Sequence, residues 1–167
     1  MIVALLAATL NLEVYVAYLN DQADRTGDID VPKVLRADEQ RRHIVHLAIE
    51  HRTLATADDY YHAAMVMQHG TVPADFALAR DLAAQAMRRD PSHRQAAWLF
   101  AAATDRYLWR TGKPQIYGTQ YKQVDGRWTL EPFDRNAVTD EERRKHHVDP
   151  LADRLRFIDE LNAKSGR

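Results

Sequence analysis

The 167-residue chain is 46% hydrophobic, enough for one domain with a real core spanning residues 1–167. Its 23 basic and 24 acidic residues leave a net charge of −1, so no global field favours nucleic acid or an anionic membrane as partner. The absence of cysteine excludes disulfides, thiolate zinc sites and cysteine nucleophiles.

Met1 to Leu19 carries one charge, Glu13, and one strongly polar side chain, Asn11. The run is almost long enough to span a bilayer, but no basic residue precedes it and Glu13 would lie well inside a span. Apolar positions from Leu5 to Leu19 cover much of a helical circumference, which predicts a buried core helix running on to about Arg25 and no stable membrane span. A cytoplasmic protein is expected, although the apolar start leaves a secreted or periplasmic form open. Asp24 to Asp30 resembles part of a calcium loop with Gly27 at its turn. Gln22 and Lys33 occupy the positions where that motif needs an aspartate and a bidentate glutamate, so a solvated loop is expected instead.

A second helix is expected from about Ala37 to His51, with Asp38 near its start. His43 and His46 share a face, but His51 lies about 140° round the helix from His46, and no acidic pair completes a zinc pattern. Neither a metal nor an organic cofactor is expected.

The middle of the chain is the best patterned. Thr56 caps a helix with Asp58 and Asp59 in its first turn, and Gly70 follows its end. An alanine-rich helix is expected over 74–89, and Asp90-Pro91-Ser92 restarts the chain into a helix over 93–110. Together these predict a mainly α fold of antiparallel helical hairpins, repeat-like and tetratricopeptide-like in character. His69 suits the negative end of a helix dipole or acid–base chemistry equally well. Asp105 and Arg106 sit in an apolar helix and diverge by about 100°, so each must find a different partner.

Gly112 to Gln120, Gly-Lys-Pro-Gln-Ile-Tyr-Gly-Thr-Gln, packs five polar side chains into nine residues. Gly112 ends the helix by taking the left-handed conformation, Pro114 prevents its resumption, and Gly118 permits a close backbone approach. Gln115, Tyr117, Thr119 and Gln120 could hold a carboxylate, an amide or a phosphate-like group, or could tie the loop to its neighbours. Beyond it, Asp125-Gly126 predicts a β-hairpin turn within 121–133. Thr139 to Glu142 starts a helical segment, and 150–162 forms an amphipathic helix. The basic run from Arg143 to His147 reads as a solvated face, with Arg143 facing an anion as the sharper alternative.

Asp21-Gln22 with Arg25, Gln68-His69, Asp105-Arg106, Gly112-Lys113-x-Gln115-x-Tyr117-Gly118-Thr119-Gln120, and Arg143 ahead of Asp149-Pro150-Leu151 occur in an order that resembles an uncharacterised bacterial domain-of-unknown-function family. The resemblance implies that His69, Asp105, Arg106, Gln115, Tyr117, Thr119, Gln120 and Arg143 belong to one constellation. It brings no reaction with it.

Two functions are expected from these residues. In one, a metal-independent hydrolase or transferase uses His69, Asp105 and Arg106 catalytically and binds a small polar or peptide-like ligand in a polar cleft through Gln115, Tyr117, Gly118, Thr119, Gln120 and Arg143. In the other, the helical scaffold binds a carboxylate-bearing ligand or peptide without chemistry. No serine elbow, phosphate loop or dinucleotide fingerprint is present, and the sequence leaves the oligomeric state open.

Overall fold

The computed structural model describes residues 9–165 and is mainly α. Among the described residues there are seven helices: α1 (Leu12–Ala23), α2 (Val31–Glu50), α3 (Ala57–Met67), α4 (Pro73–Arg89), α5 (Arg94–Arg110), α6 (Asp140–Lys145) and α7 (Leu151–Ser165). A two-stranded antiparallel hairpin, β1 (Lys122–Val124) and β2 (Arg127–Thr129), lies between α5 and α6. Asp125 and Gly126 both have positive φ, 49° and 76°, as its tight turn requires.

Helices α3, α4 and α5 are joined by short loops and pack in succession around the main core. Met67, Ala63 and Ala64 on α3, Ala79, Ala83 and Ala86 on α4, and Ala96, Leu99 and Ala103 on α5 have no exposed surface. The methyl side chains let the backbones approach, while Met67 and Leu99 fill the space between. Burying each of these two larger side chains is worth about 1.5–3 kcal/mol. Helices α1 and α2 complete this core with Val14, Ala17, Val45 and Ala48. Two smaller clusters lie beyond it: Ala101, Tyr117 and Val148, then Leu130, Phe133 and Ile158 beneath the hairpin and α7.

The start of the chain departs from expectation. Met1 to Ala8 lie outside the described residues, and α1 begins at Leu12, where the Asn11 side chain accepts from Val14 N at 3.1 Å as N-cap. Nor is α1 buried around its circumference: Val14 and Ala17 are inside, but Leu12, Val16 and Leu19 are exposed. Helix α2 starts six residues before Ala37, because Asp30 caps it by accepting from Lys33 N and Pro32 occupies its first turn. Asp38 is therefore buried in mid-helix, not near a terminus. In the connection between α1 and α2, Asp24 pairs with Arg41 and Asp30 serves as the cap, so two of the calcium-loop acids are already engaged. Among the described residues no helix is long and apolar enough to cross a membrane.

Candidate functional site

Asp105 sets the geometry of the glycine-hinged loop. Its side chain has no exposed surface, and its two oxygens accept from the backbone N–H of Ile116 (2.8 Å), Tyr117 (2.9 Å) and Thr119 (2.8 Å) and from the Thr119 hydroxyl (2.7 Å). Burial pushes the Asp105 carboxyl above the usual carboxylate range, while these four donors oppose that rise. Gln115, also fully buried, donates to the carbonyls of Gln120 (2.8 Å) and Leu130 and accepts from Gln120 N at 3.0 Å. The Gln115 backbone pairs with the next segment, donating to Pro132 O and accepting from Asp134 N.

The loop carbonyls are held from the other side. Arg143, 1% exposed, donates to Tyr117 O (3.3 Å), Ile116 O (3.2 Å), Val138 O (2.9 Å) and the Asp140 carboxylate (3.2 Å). Arg154 on α7 donates to Gly118 O at 2.9 Å. Gly118 has φ +82°, and a Cβ there would meet the Phe133 ring at 2.9 Å, so both its conformation and its neighbour require glycine. Gly112 has φ +75° just past α5. The Tyr117 ring meets His146 edge-on, and burial pushes its hydroxyl up to about 12. The basic run across the end of α6 is split, with Arg143 and His146 buried and Arg144, Lys145 and His147 exposed.

His69 and Arg106 face a different place. They line a cleft of about 420 Å³, shared with Arg25, Asp38, Gly70, Phe76 and Arg110 and floored by apolar side chains of the α1–α2 connection and α2, among them Ile29, Val34 and Leu35. His69 Nδ1 lies 3.0 and 2.9 Å from the two carboxylate oxygens of the fully buried Asp21 on α1. A carboxylate only accepts, so Nδ1 carries the proton and Nε2 is the remaining valence. Asp21 is held by Gln22 Nε2 (2.8 Å) and Arg25 (2.8 Å), and Arg25 also bonds Asp38 at 2.7 Å. A ladder of alternating charge thus runs from α1 to α2 behind the imidazole.

Arg106 donates to Gln68 O (2.7 Å) and to Gln120 Oε1 (3.1 Å), and among the described residues it has no carboxylate partner. Burial, and then the nearby Arg110 and Arg25, lower its affinity for the proton. The Arg110 guanidinium lies over the Phe76 ring at 5.7 Å and bonds Thr71 O at 2.7 Å. Beside His69, a Cβ on Gly70 would come within 2.2 Å of Asp75 Cβ, so a glycine is needed for the chain to turn close under α4.

The nine sequence-derived site residues therefore divide. His69 and Arg106 share the cleft, with Gln120 behind Arg106. Asp105, Gln115, Tyr117, Gly118, Thr119 and Arg143 do not line it, and most form the hydrogen-bonded frame at its back. The link from frame to cleft is continuous, because Gln120 bonds Arg106, the Thr119 hydroxyl and Gln115. Asp21, Arg25, Asp38 and Arg110 are cleft or cleft-supporting residues outside the sequence-derived set. Asp21 and Arg25 had a visible signal, an i, i+4 pair of opposite charge at the polar end of α1, whereas the 48-residue separation of Asp21 from His69 left no local trace. His43 and His46 are exposed on α2, and among the described residues no three His, Asp or Glu side chains converge as a metal site.

Fold and site together describe a mainly helical protein in which a buried polar frame backs an arginine- and histidine-lined cleft. Residues 53–164 match the model of a family of unknown function, DUF6624, and the chain belongs to that family. No curated protein and no solved structure matches it.

Proposed function

We propose that the cleft takes a small polar ligand through an anionic group and that His69 performs acid–base chemistry on it, making the protein a metal-independent hydrolase or transferase. The observation that carries this reading is the Asp21–His69 pair, with Nδ1 2.9 Å from a fully buried carboxylate, in the wall that also holds Arg106, which has no acidic partner among the described residues. Asp21 orients the imidazole with its Nδ1–H held on the carboxylate, so Nε2 can take and return a proton at the reacting atom. A partly buried guanidinium without a counter-ion is costly, and an anionic ligand group would remove that cost. In this role Arg106 and Arg110 bind the anion, Gln120 positions Arg106, and Asp105 and Arg143 hold the loop that carries Gln120.

The binding reading also has support in the cleft. Ile29, Val34, Leu35 and Phe76 offer apolar contact beside the arginines, which suits a carboxylate-bearing ligand or peptide end held by a tetratricopeptide-like scaffold without chemistry. One variant separates the two readings. With inorganic phosphate as the anion probe in calorimetry, and a panel of p-nitrophenyl esters and phosphoesters as substrates, His69→Gln is expected to retain phosphate binding and lose turnover by about 10²–10⁴-fold. Undiminished turnover in that variant would remove the catalytic reading. Phosphate binding that survives Arg106→Met would remove the anion site.

A further inference from the structure

A second cleft, of about 580 Å³, opens between α1, α3 and the turn from α4 into α5. Its chemistry is opposite to that of the first. A continuous aromatic wall runs through Tyr15, Tyr18, His62, Tyr61 and His93: Tyr18 stacks on His62 at 4.4 Å between ring centres, Tyr15 lies 5.1 Å from His62, and Tyr61 lies 4.9 Å from His93. Asp58 and Asp90 bring two carboxylates to it, and among the described residues no lysine or arginine lines it.

The imidazoles add no positive charge as they are arranged here. His93 Nδ1 accepts from Ala96 N at 3.2 Å as the N-cap of α5, so its proton is on Nε2, which donates to Asp58 at 3.2 Å. His62 is 8% exposed, and burial lowers its affinity for a proton. Its Nδ1 is shut from solvent and has no hydrogen-bond partner among the described residues. The Asp58 side chain is 65% exposed, and its partner among the described residues is the His93 imidazole. The cleft thus combines carboxylate charge with aromatic rings.

We propose that this second cleft binds a small organic cation, a primary alkylammonium group, with Asp58 as its counter-ion and the tyrosine rings packing on its charged end and chain. A cation gains from aromatic faces and from a carboxylate together. The inference is independent of the Asp21–His69 cleft, since the two share no lining residue.

The test uses the full chain and n-butylammonium chloride, titrated at constant ionic strength while the ring signals of the histidines are followed by NMR. Saturable shifts are expected at His62 and His93 and not at His69. Neutral n-butanol, with the same number of heavy atoms, is expected to bind at least tenfold more weakly, a comparison that needs no substitution. Asp58→Asn is expected to weaken n-butylammonium about tenfold. Equal binding of the alcohol, unchanged affinity in Asp58→Asn, or shifts confined to His69 would overturn the proposal.

Discussion

The loop at residues 112–120 and the cleft around His69 are both rich in polar side chains, but they use them in opposite ways. In the loop, Asp105 receives four hydrogen bonds, Gln115 satisfies both ends of its amide, and Arg143 reaches four oxygens. In the cleft, one side of each group is held and another is left over: His69 by Asp21, Arg106 by Gln68 and Gln120. Polar density alone therefore marks a frame as readily as a site. What distinguishes the site is bonding capacity that the protein itself does not consume.

The sharpest way to break this contrast is to remove the acceptor that organises the loop. Asp105→Ala leaves three backbone N–H groups and a hydroxyl without their partner in the interior. A loss of about 3–5 kcal/mol is expected in denaturant unfolding. A loss below about 1 kcal/mol would mean that the loop does not depend on its buried carboxylate. Next in size is the matched pair Arg143→Met and Arg106→Met. Removing Arg143 strands the carbonyls it holds and is expected to cost about 2–4 kcal/mol, whereas losing the uncompensated Arg106 charge is expected to change stability by about 1 kcal/mol or less while abolishing phosphate binding. Equal destabilisation by the two would erase the distinction between frame and cleft.

Gly118→Ala probes how closely the frame is fitted, since it meets both the φ of +82° and the Phe133 ring. An expected cost of about 1–3 kcal/mol is read from the thermal midpoint, with crystallography showing whether the ring moves. The smallest effect concerns acid. Burial opposes ionisation of Asp59, but bonds from the backbones of Thr56, Asn11 and Ala55 outweigh it and hold its pKa below the usual value. A depressed folded pKa stabilises the protein above the unfolded value of about 4 and loses that contribution as pH falls through the folded value. Asp105 has the opposite sign: its raised pKa makes the folded protein bind protons more readily, so its own contribution declines as pH rises from the unfolded value towards the folded one. Unfolding midpoints between pH 2 and 6 are expected to fall less steeply with acid in Asp59→Asn than in the unsubstituted chain.

Local chemistry made much of this architecture legible. Thr56 with its acidic first turn, Pro73, Asp90-Pro91 and Gly112 delimit α3, α4 and α5 to within a residue or two, because caps and breakers act on their immediate neighbours. The start of α2 was hidden in plain residues: Asp30 followed by Val31-Pro32 is a cap and first turn, yet in the sequence it competes with the reading of the whole acidic segment as a loop. The divergence of Asp105 from Arg106 follows from helix geometry, and the two do reach different partners. What could not be read was the identity of those partners. Asp21 meets His69 across 48 residues and Arg154 meets Gly118 across 36, and such pairings leave no periodicity in the chain.

Helix α1 is fastened to α3 at both ends. Asn11 N donates to Asp59 at 2.6 Å at one, and Asp21 grips His69 at the other. The two rivets are ten residues apart, about 15 Å of helix, and one is a cap while the other is a buried carboxylate held against an imidazole. Acid that neutralises Asp59 loosens the leading end of the lever whose far end aligns the imidazole. Any partner that pries up α1 would therefore free the His69 ring from its carboxylate without entering the cleft that the ring lines.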